Sequence, residues 1–191
     1  ITKWNLSRFA ECLIPLIDKD QEKAIKIASE IIDTFEKIYE DKWLNMMRDK
    51  LGLFGMDDKD KLLILDLLTW MHQKKVDYTN TFCHLMNVKI KENKNYENQD
   101  FQNWKKRWQK RLLTGNNTPK KYLELMKSVN PLVIPRNHKV EEALNEANLK
   151  NFSPIIKLLE VLKDPFSEQK DIINFQVLSN SNKKYQTFCG T

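Results

Sequence analysis

The chain has 191 residues, of which 41% are hydrophobic and 30% charged, with only 4 glycines and 6 prolines. This composition is typical of a soluble, helix-rich protein with a core of its own, and it excludes disordered and fibrous chains. The net charge is +6, and lysines alternate with acidic residues over most of the length, so we expect no nucleic-acid partner. No run of about 18 apolar residues is present, so we expect no membrane span or membrane partner.

Apolar residues at helical spacing run through the N-terminal part of the chain. They predict one helix from Trp4 to Ile17, with Pro15 near its end, and a second from Ala24 to Met47 that stops near Gly52. The second stripe continues for six turns. We expect the aromatic residues of this stripe to lie in the core together with Trp70; they are Phe35, Tyr39 and Trp43.

The middle of the chain contains a third and a fourth helix pattern. Asp57 or Asp58 can cap a helix that continues to Met71 and is apolar on nearly every side, and Asp77–Thr81 can start a short helix. Residues 88–98 are rich in Lys and Asn and predict a surface loop or insert.

Further helix patterns follow in the C-terminal half. Phe101, Trp104 and Trp108 share a helical stripe, and Thr118 and Pro119 together form a cap and first turn. A last pair of short helices is predicted over 140–147 and 152–162, and residues 166–191 form an aperiodic tail. With no strand pair and no repeat, the sequence predicts one all-α domain over residues 1–191, an irregular arrangement of about seven or eight helices.

The stretch 104–111 is the densest basic patch, with aromatic residues interleaved. One interpretation is contact with phosphate or nucleic acid. The favoured interpretation is a helix with a buried aromatic stripe and a solvated basic back, because Trp104, Trp108 and Leu112 share one face.

The residues that catalysis or metal binding would require are scattered. The three histidines are far apart in sequence, so we expect no metal site. Cys83 lies beside His84 but is followed by no oxyanion-hole pattern, and four glycines make a glycine-rich phosphate cradle implausible. From its residues alone, the chain has no recognisable catalytic or cofactor-binding site.

Residues 130–138 form the segment that periodicity does not explain. Two prolines keep it extended, and Arg136, Asn137 and His138 then place several polar groups at the start of a helix. These three residues are either a capped structural turn or the polar wall of a site or interface.

The cysteines and the two chain ends give further expectations. Cys12, Cys83 and Cys189 form an odd set without a CxxC pair, which favours a reducing cytoplasm over a disulfide framework. Cys12 and Cys83 lie in helical stripes and are expected to be packed. The presence of a cysteine at position 189, third from the end, has three open explanations. They are a chemical role of the thiol, docking of the residue into a groove, and chance. The start at Ile1, without Met, is expected of a fragment of a longer chain.

Motifs along the whole chain resemble the selenoprotein O (SelO/YdiU) family. They occur in the order of that family and comprise Trp4–Glu11, Pro15–Asp18, Lys50–Leu53, Asp77–Phe82, Trp104 with Trp108, Asn130–His138, Val140–Glu141, Leu162–Phe166 and Thr187–Thr191. The family consists of pseudokinase-like enzymes that transfer AMP from ATP to Ser, Thr or Tyr hydroxyls of proteins, a reaction called AMPylation.

The resemblance implies that this chain is the C-terminal helical part of a kinase-like protein. The ATP, Mg²⁺ and catalytic residues of the family lie upstream of the segment that resembles Trp4, so no catalytic, cofactor or metal residue is implied here. The implied partners are the upstream kinase-like core and, for the full-length protein, its protein substrates. Cys189 matches a near-terminal Cys or selenocysteine, which implies a redox-regulatory thiol whose partner would lie in the core.

A competing interpretation needs no enzyme. The chain would then be a stand-alone helical module that binds another protein and has no enzymatic ancestry.

Overall fold

The computed structural model describes residues 1–115 and 117–179. Within these residues the chain is all α-helical and has no β-strand, as the sequence predicted. The α-helices of this part are α1 (Thr2–Ile17), α2 (Gln21–Asp33), α3 (Phe35–Lys50), α4 (Asp60–Lys74), α5 (Tyr78–Leu85), α6 (Gln99–Thr114), α7 (Pro119–Val129), α8 (Asn137–Asn148), α9 (Ser153–Lys163) and α10 (Ile173–Gln176). A 3₁₀ turn, Lys94–Glu97, precedes α6. No helix of the described ranges is long and apolar enough to cross a lipid bilayer.

By their contacts, the described residues form two compact units, residues 1–47 and the described residues from 48 onwards. In the first unit α1 packs against α2, and Ala24 and Ala28 are the buried side chains of α2. Helical periodicity shows which face of a helix is apolar but not which helix will cover that face.

The second predicted helix is interrupted at Thr34. The Thr34 backbone N–H and its hydroxyl both donate to the Ile31 carbonyl, at 3.1 and 2.7 Å, which tightens one turn. Ile38 N–H then donates to the Thr34 carbonyl at 3.1 Å, and the helical path resumes as α3. The stripe therefore continues across the break.

The expectation that the aromatic residues of this stripe lie in the core was wrong for Tyr39, which is exposed. Phe35 and Trp43 are half-buried. The physical reason is that α1 packs on α2 and buries Ala24 and Ala28 there, whereas Tyr39 lies on α3, beyond this pair of helices.

The core of the second unit lies between α4, α5, α6 and α7. Its most deeply buried apolar side chains are Leu51, Ile64, Leu67, Phe82, Phe101, Met126, Leu132 and Val133. Trp70 packs on Phe101 with ring centroids 4.6 Å apart. The indole N–H groups of Trp104 and Trp108 donate to the carbonyls of Leu63 and Leu51, each at 2.8 Å, so the aromatic stripe of α6 is buried as predicted.

The predicted helix start at Asp77 and the predicted Thr118 cap are found, whereas neither Asp57 nor Asp58 caps α4. Asp77 Oδ1 accepts from Asn80 N–H at 2.8 Å, and the Thr118 side chain accepts from Lys121 N–H. The carboxylate of Asp57 instead accepts from Lys59 N–H at 2.8 Å, so Asp57 stabilises the turn before α4 and does not cap the helix.

Two segments that the sequence left without helices contain buried residues. In the predicted surface loop 88–98, Val88 and Tyr96 are buried, and the Tyr96 hydroxyl lies 3.1 Å from Thr81 Oγ1. In the predicted tail, α10 buries Phe175 and Gln176. One or two inward side chains are too few to produce a periodic signal.

Candidate functional site

Three of the motifs noted in the sequence meet at the start of α5. They are the segments 50–53, 77–82 and 130–138, which lie far apart along the chain. The extended segment before α8 passes over α5, and Leu132 and Val133 anchor it in the core. The two prolines of this segment keep its backbone extended. The side chains of Asn130 and Arg136 contact the end of α3 and the start of α5.

Arg136 forms the charged centre of this site. Its Nη1 and Nη2 donate to the two carboxylate oxygens of Asp77, each at 2.9 Å, and Nη2 also donates to Asn80 Oδ1 at 3.1 Å. The side chains of Arg136 and Asp77 are only 9% and 17% exposed. Burial alone would raise the pKa of Asp77, but the hydrogen bonds from Arg136 and Asn80 lower it below its usual range. The pair is therefore ionised and bidentate.

Asn137 and His138 do not share this network. Asn137 is exposed at the first position of α8, and His138 is half-buried on the same helix. Burial, followed by the positive charges of Lys139 and Arg136, lowers the pKa of His138, so its imidazole is neutral near pH 7. Of the three candidate residues, Arg136 alone takes part in the ion pair.

Lys50 and Asn130 form the second part of the site. Lys50 Nζ donates to Asn130 Oδ1 at 3.0 Å, and Asn130 Nδ2 donates to the Lys50 and Met126 carbonyls, both at 2.9 Å. The Lys50 ammonium also lies 4.9 Å from the centroid of the Phe82 ring. Burial lowers the pKa of Lys50. This exchange of hydrogen bonds joins the end of α3 to the end of α7.

Gln176 is a site residue that no sequence pattern indicated. Asn80 Nδ2 donates to the Gln176 carbonyl at 3.1 Å, and Gln176 Nε2 donates to the Leu132 carbonyl at 2.7 Å. These bonds tie α10 to α5 and to the extended segment. Arg136 Nε and Gln176 Oε1 are buried and have no hydrogen-bond partner within the described residues.

Cys83 lies in the same region and is inert by its surroundings. Its Sγ lies 3.9 and 4.0 Å from the carbonyl oxygens of Pro131 and Leu132. Burial, reinforced by the negative charge of Asp77, raises the pKa of Cys83 to about 11. The thiol is therefore protonated at neutral pH, which agrees with the expectation that Cys83 is packed.

The other two cysteines are placed differently. Cys12 is exposed on α1, and the expectation that it is packed was wrong. A helical stripe buries a cysteine only where another element covers that side of the helix. Cys189, the possible redox residue, lies outside the described residues.

A second buried carboxylate, Asp60, lies at the start of α4. Arg48 Nε and Arg111 Nε donate to its two oxygens, each at 2.7 Å, and Asp60 is fully buried. Burial alone would raise the pKa of Asp60, but the two arginines outweigh it and lower the pKa. Arg111 belongs to the basic patch that was expected to be solvated, and this side chain is instead largely buried against Asp60.

These contacts limit what the site can do chemically. Asp60 and Asp77 are both ionised, and their lone pairs are engaged by arginines, whereas a general base needs a lone pair directed at a substrate. Among the described residues, no group of three or more His, Cys, Asp or Glu side chains could hold a metal ion. The fold and the site together define a helical domain whose buried charges connect distant segments.

Comparison with known proteins identifies the family. The family model described as "Protein adenylyltransferase SelO" matches residues 1–163. The chain is 56% identical over 192 residues to the protein nucleotidyltransferase YdiU of Pelagibacter ubique, covering 100% of this chain and 40% of that protein. It is 42% identical to the proteins of the same name from Nitrosococcus oceani and Clostridium perfringens, covering 39% of each and 100% and 98% of this chain.

The chain belongs to the SelO family, as the order of its motifs suggested. It spans about two-fifths of the length of these curated relatives. The segments 50–53, 77–82 and 130–138, three of the motifs that carried the resemblance, meet at the start of α5.

Proposed function

We propose that this chain is the C-terminal helical part of an enzyme that transfers AMP from ATP to Ser, Thr or Tyr hydroxyls of proteins. The observation that carries the proposal is the SelO match over residues 1–163 in a chain that spans two-fifths of its relatives. Family membership also argues against the alternative of a helical module without enzymatic ancestry.

Within that enzyme, the chain contributes structure and supplies no catalytic group. The buried ion pairs support this part of the proposal, because Arg136 and Arg111 hold the carboxylates of Asp77 and Asp60 in place. A carboxylate fixed in this way stabilises the fold but has little capacity to accept a proton from a substrate hydroxyl. ATP and Mg²⁺ would bind in a kinase-like core outside this chain, and that core would be the first partner of the chain.

Transfer of radiolabelled AMP tests the proposal. The full-length protein, incubated with Mg²⁺ and ATP labelled at the α-phosphate, is expected to label protein hydroxyls, and residues 1–191 alone are expected to label none. Titration calorimetry of residues 1–191 with Mg²⁺ and ATP should give no micromolar binding. The proposal fails if the full-length protein transfers no AMP, and the non-catalytic role fails if residues 1–191 bind ATP tightly or transfer AMP.

We also propose that Cys189 is a regulatory thiol and that the protein works in the cytoplasm. The resemblance of Thr187–Thr191 to a motif of the family supports the first statement, and the odd cysteine set without a CxxC pair supports the second. In the full-length protein, oxidation is expected to join Cys189 to a cysteine of the kinase-like core, and reduction is expected to change the rate of AMP transfer. Cys189→Ser should abolish that redox response, and a response that persists in this variant would contradict the proposal.

A further inference from the structure

A cavity of about 470 Å³ lies between the start of α4 and the C-terminal half of α6, two helices that pack against each other. Its volume is in the range of roughly 300–1,000 Å³ that is usual for binding pockets. Leu62 and Leu63 supply its apolar surface, and Leu62 is 59% exposed whereas Leu63 is 7% exposed. The cavity therefore holds an apolar side chain that the described part of the chain leaves open to solvent.

The side chains around the cavity comprise four cations and two carboxylates. Both carboxylates have partners within the chain. Asp60 accepts from two arginines, and Asp57 accepts from the Lys59 backbone N–H at 2.8 Å. Because the carboxylates are engaged in this way, the character of the rim is set by the cations.

Three of the four cations are accessible from outside. Lys59 and Lys110 are exposed, and neither has an ion-pair partner among the described residues. Arg107 pairs with Asp66 at 2.7 Å, but its side chain remains 52% exposed. The fourth cation is the Arg111 side chain, which is held by Asp60. The rim thus has positive charge that an anionic group from outside the chain can reach.

The aromatic residues of the same helix help to decide which kind of anion fits. Trp104 and Trp108 are buried and donate their indole N–H groups to backbone carbonyls, and no aromatic side chain lines the cavity. Proteins that bind single-stranded nucleic acid stack its bases on exposed aromatic rings. A cavity with leucine inside and lysine at its rim instead matches a peptide that carries an apolar residue beside carboxylates.

We propose that this cavity is a docking site for an acidic segment of another protein. One aliphatic or aromatic side chain of that segment lies against Leu62, and flanking Asp or Glu carboxylates pair with Lys59 and Lys110. The proposal goes beyond AMP transfer, because it requires neither ATP nor a reaction at the cavity. The basic stretch 104–111 then has two roles, since Arg111 stabilises the fold through Asp60 and Lys110 contacts the partner.

Peptide binding to the full-length protein tests the docking site. The probe is a fluorescein-labelled peptide in which one leucine has a pair of glutamates on each side, and its binding is followed by fluorescence anisotropy at low and at physiological ionic strength. The wild-type protein is expected to bind it, more tightly at low ionic strength. Lys110→Glu and Leu62→Ala are each expected to weaken binding about fivefold or more, the first by reversing a rim charge and the second by removing apolar contact.

Two matched controls lie on the same helices outside the cavity. Lys106→Glu makes the same change of charge on α6, and Leu65→Ala makes the same truncation on α4. Both are expected to bind the peptide within about twofold of wild type. All four substituted side chains are exposed, so each variant is expected to fold, and circular dichroism verifies this.

Four results would overturn the proposal. They are no binding of the peptide to the wild-type protein, an equal loss in Lys106→Glu, which would indicate general attraction between charges, and an unchanged affinity in Leu62→Ala. The fourth is tighter binding of a single-stranded oligonucleotide of the same charge that is weakened by Lys110→Glu, which would assign the cavity to nucleic acid. Because the measurement needs no ATP, its failure is distinguishable from failure of AMP transfer.

Discussion

Gly52 shows how closely a single residue is constrained. It follows α3 with a positive φ of +69°, and a Cβ at this position would lie 2.9 Å from the Tyr122 carbonyl oxygen. Gly55 has almost the same φ, +71°, but a Cβ there would meet nothing within 4 Å. A comparison of the two glycines therefore distinguishes the need for a left-handed backbone, which both share, from the lack of space for a side chain, which holds for Gly52 alone.

We expect Gly52→Ala to destabilise the chain more than Gly55→Ala does. Left-handed backbone costs an alanine about 1–2 kcal/mol at either position, and overpacking against the Tyr122 backbone adds about 1–3 kcal/mol at Gly52 alone. Urea unfolding of both variants measures the difference. Equal losses would show that the contact with Tyr122 has no energetic importance.

The acid side of the stability curve should depend on Asp60 and Asp77. Both have a pKa below that of an unfolded aspartate, which is about 3.9, so each stabilises the fold above that pH. Their contribution is lost as the pH falls through the lower pKa of the folded state. We therefore expect the free energy of unfolding to fall steeply below about pH 4.

Asp60→Asn should flatten that acid limb and lower stability at pH 7 by about 3–5 kcal/mol, because it leaves two buried arginines without their charge partner. Asp66→Asn is the matched control, since Asp66 pairs with Arg107 at the surface and its loss should cost less than about 1 kcal/mol. Unfolding in urea from pH 3 to 7 measures both. An acid limb of wild-type slope in Asp60→Asn would contradict this account.

At the scale of elements, Trp70 on α4 tests the aromatic core. It is buried between Tyr96 and Phe101, and its indole N–H has no hydrogen-bond partner among the described residues. Trp70→Ala should cost on the order of 3–5 kcal/mol. Trp70→Phe should cost about 1.5 kcal/mol or less, because it keeps most of the packing and loses only an unpaired donor.

Denaturant unfolding of the two Trp70 variants checks the comparison. A loss below about 1 kcal/mol for Trp70→Ala would mean that the side chain is not part of the core. A large loss for Trp70→Phe would mean that the indole N–H has a partner.

The elements that the sequence predicted best are those set by local chemistry. Asp77 as a cap and the Thr118–Pro119 start are local patterns, and both occur in the structure. The partner of Arg136 lies 59 residues away, so no spacing rule connects it to Asp77. Asp60 stands among lysines and aspartates that look like a solvated surface, and only the fold brings Arg111 to it.

The same distinction explains the errors on the long apolar stripe. Its period was recognised correctly, and α2 and α3 follow it with one tightened turn at Thr34. The predicted burial was wrong at Tyr39, because periodicity shows which residues favour burial and not whether another element covers them. An apolar residue that is exposed in this chain is consistent with a partner outside it.

At the scale of the whole molecule, we expect the buried charges of this chain to act on stability and not on catalysis. The chain belongs to the SelO family and spans two-fifths of its relatives, and its most deeply held charges connect α3, α4, α5 and the segment before α8. If these charges act only on the fold, their removal should lower stability without changing the chemical step.

The most direct measurement of this claim is made on the full-length protein with Asp77→Asn and Arg136→Met. Each variant is compared with wild type in its thermal unfolding and in kcat for the proposed AMP transfer, measured well below the unfolding temperature and corrected for the folded fraction. Lys139, whose side chain is 28% exposed and pairs with Glu142 within α8, is changed to Met as the control. We expect a lower Tm for both variants and a kcat within about twofold of wild type. A kcat lowered about 100-fold at unchanged Tm would contradict this expectation, because a loss of that size is typical of a group that acts in the transition state.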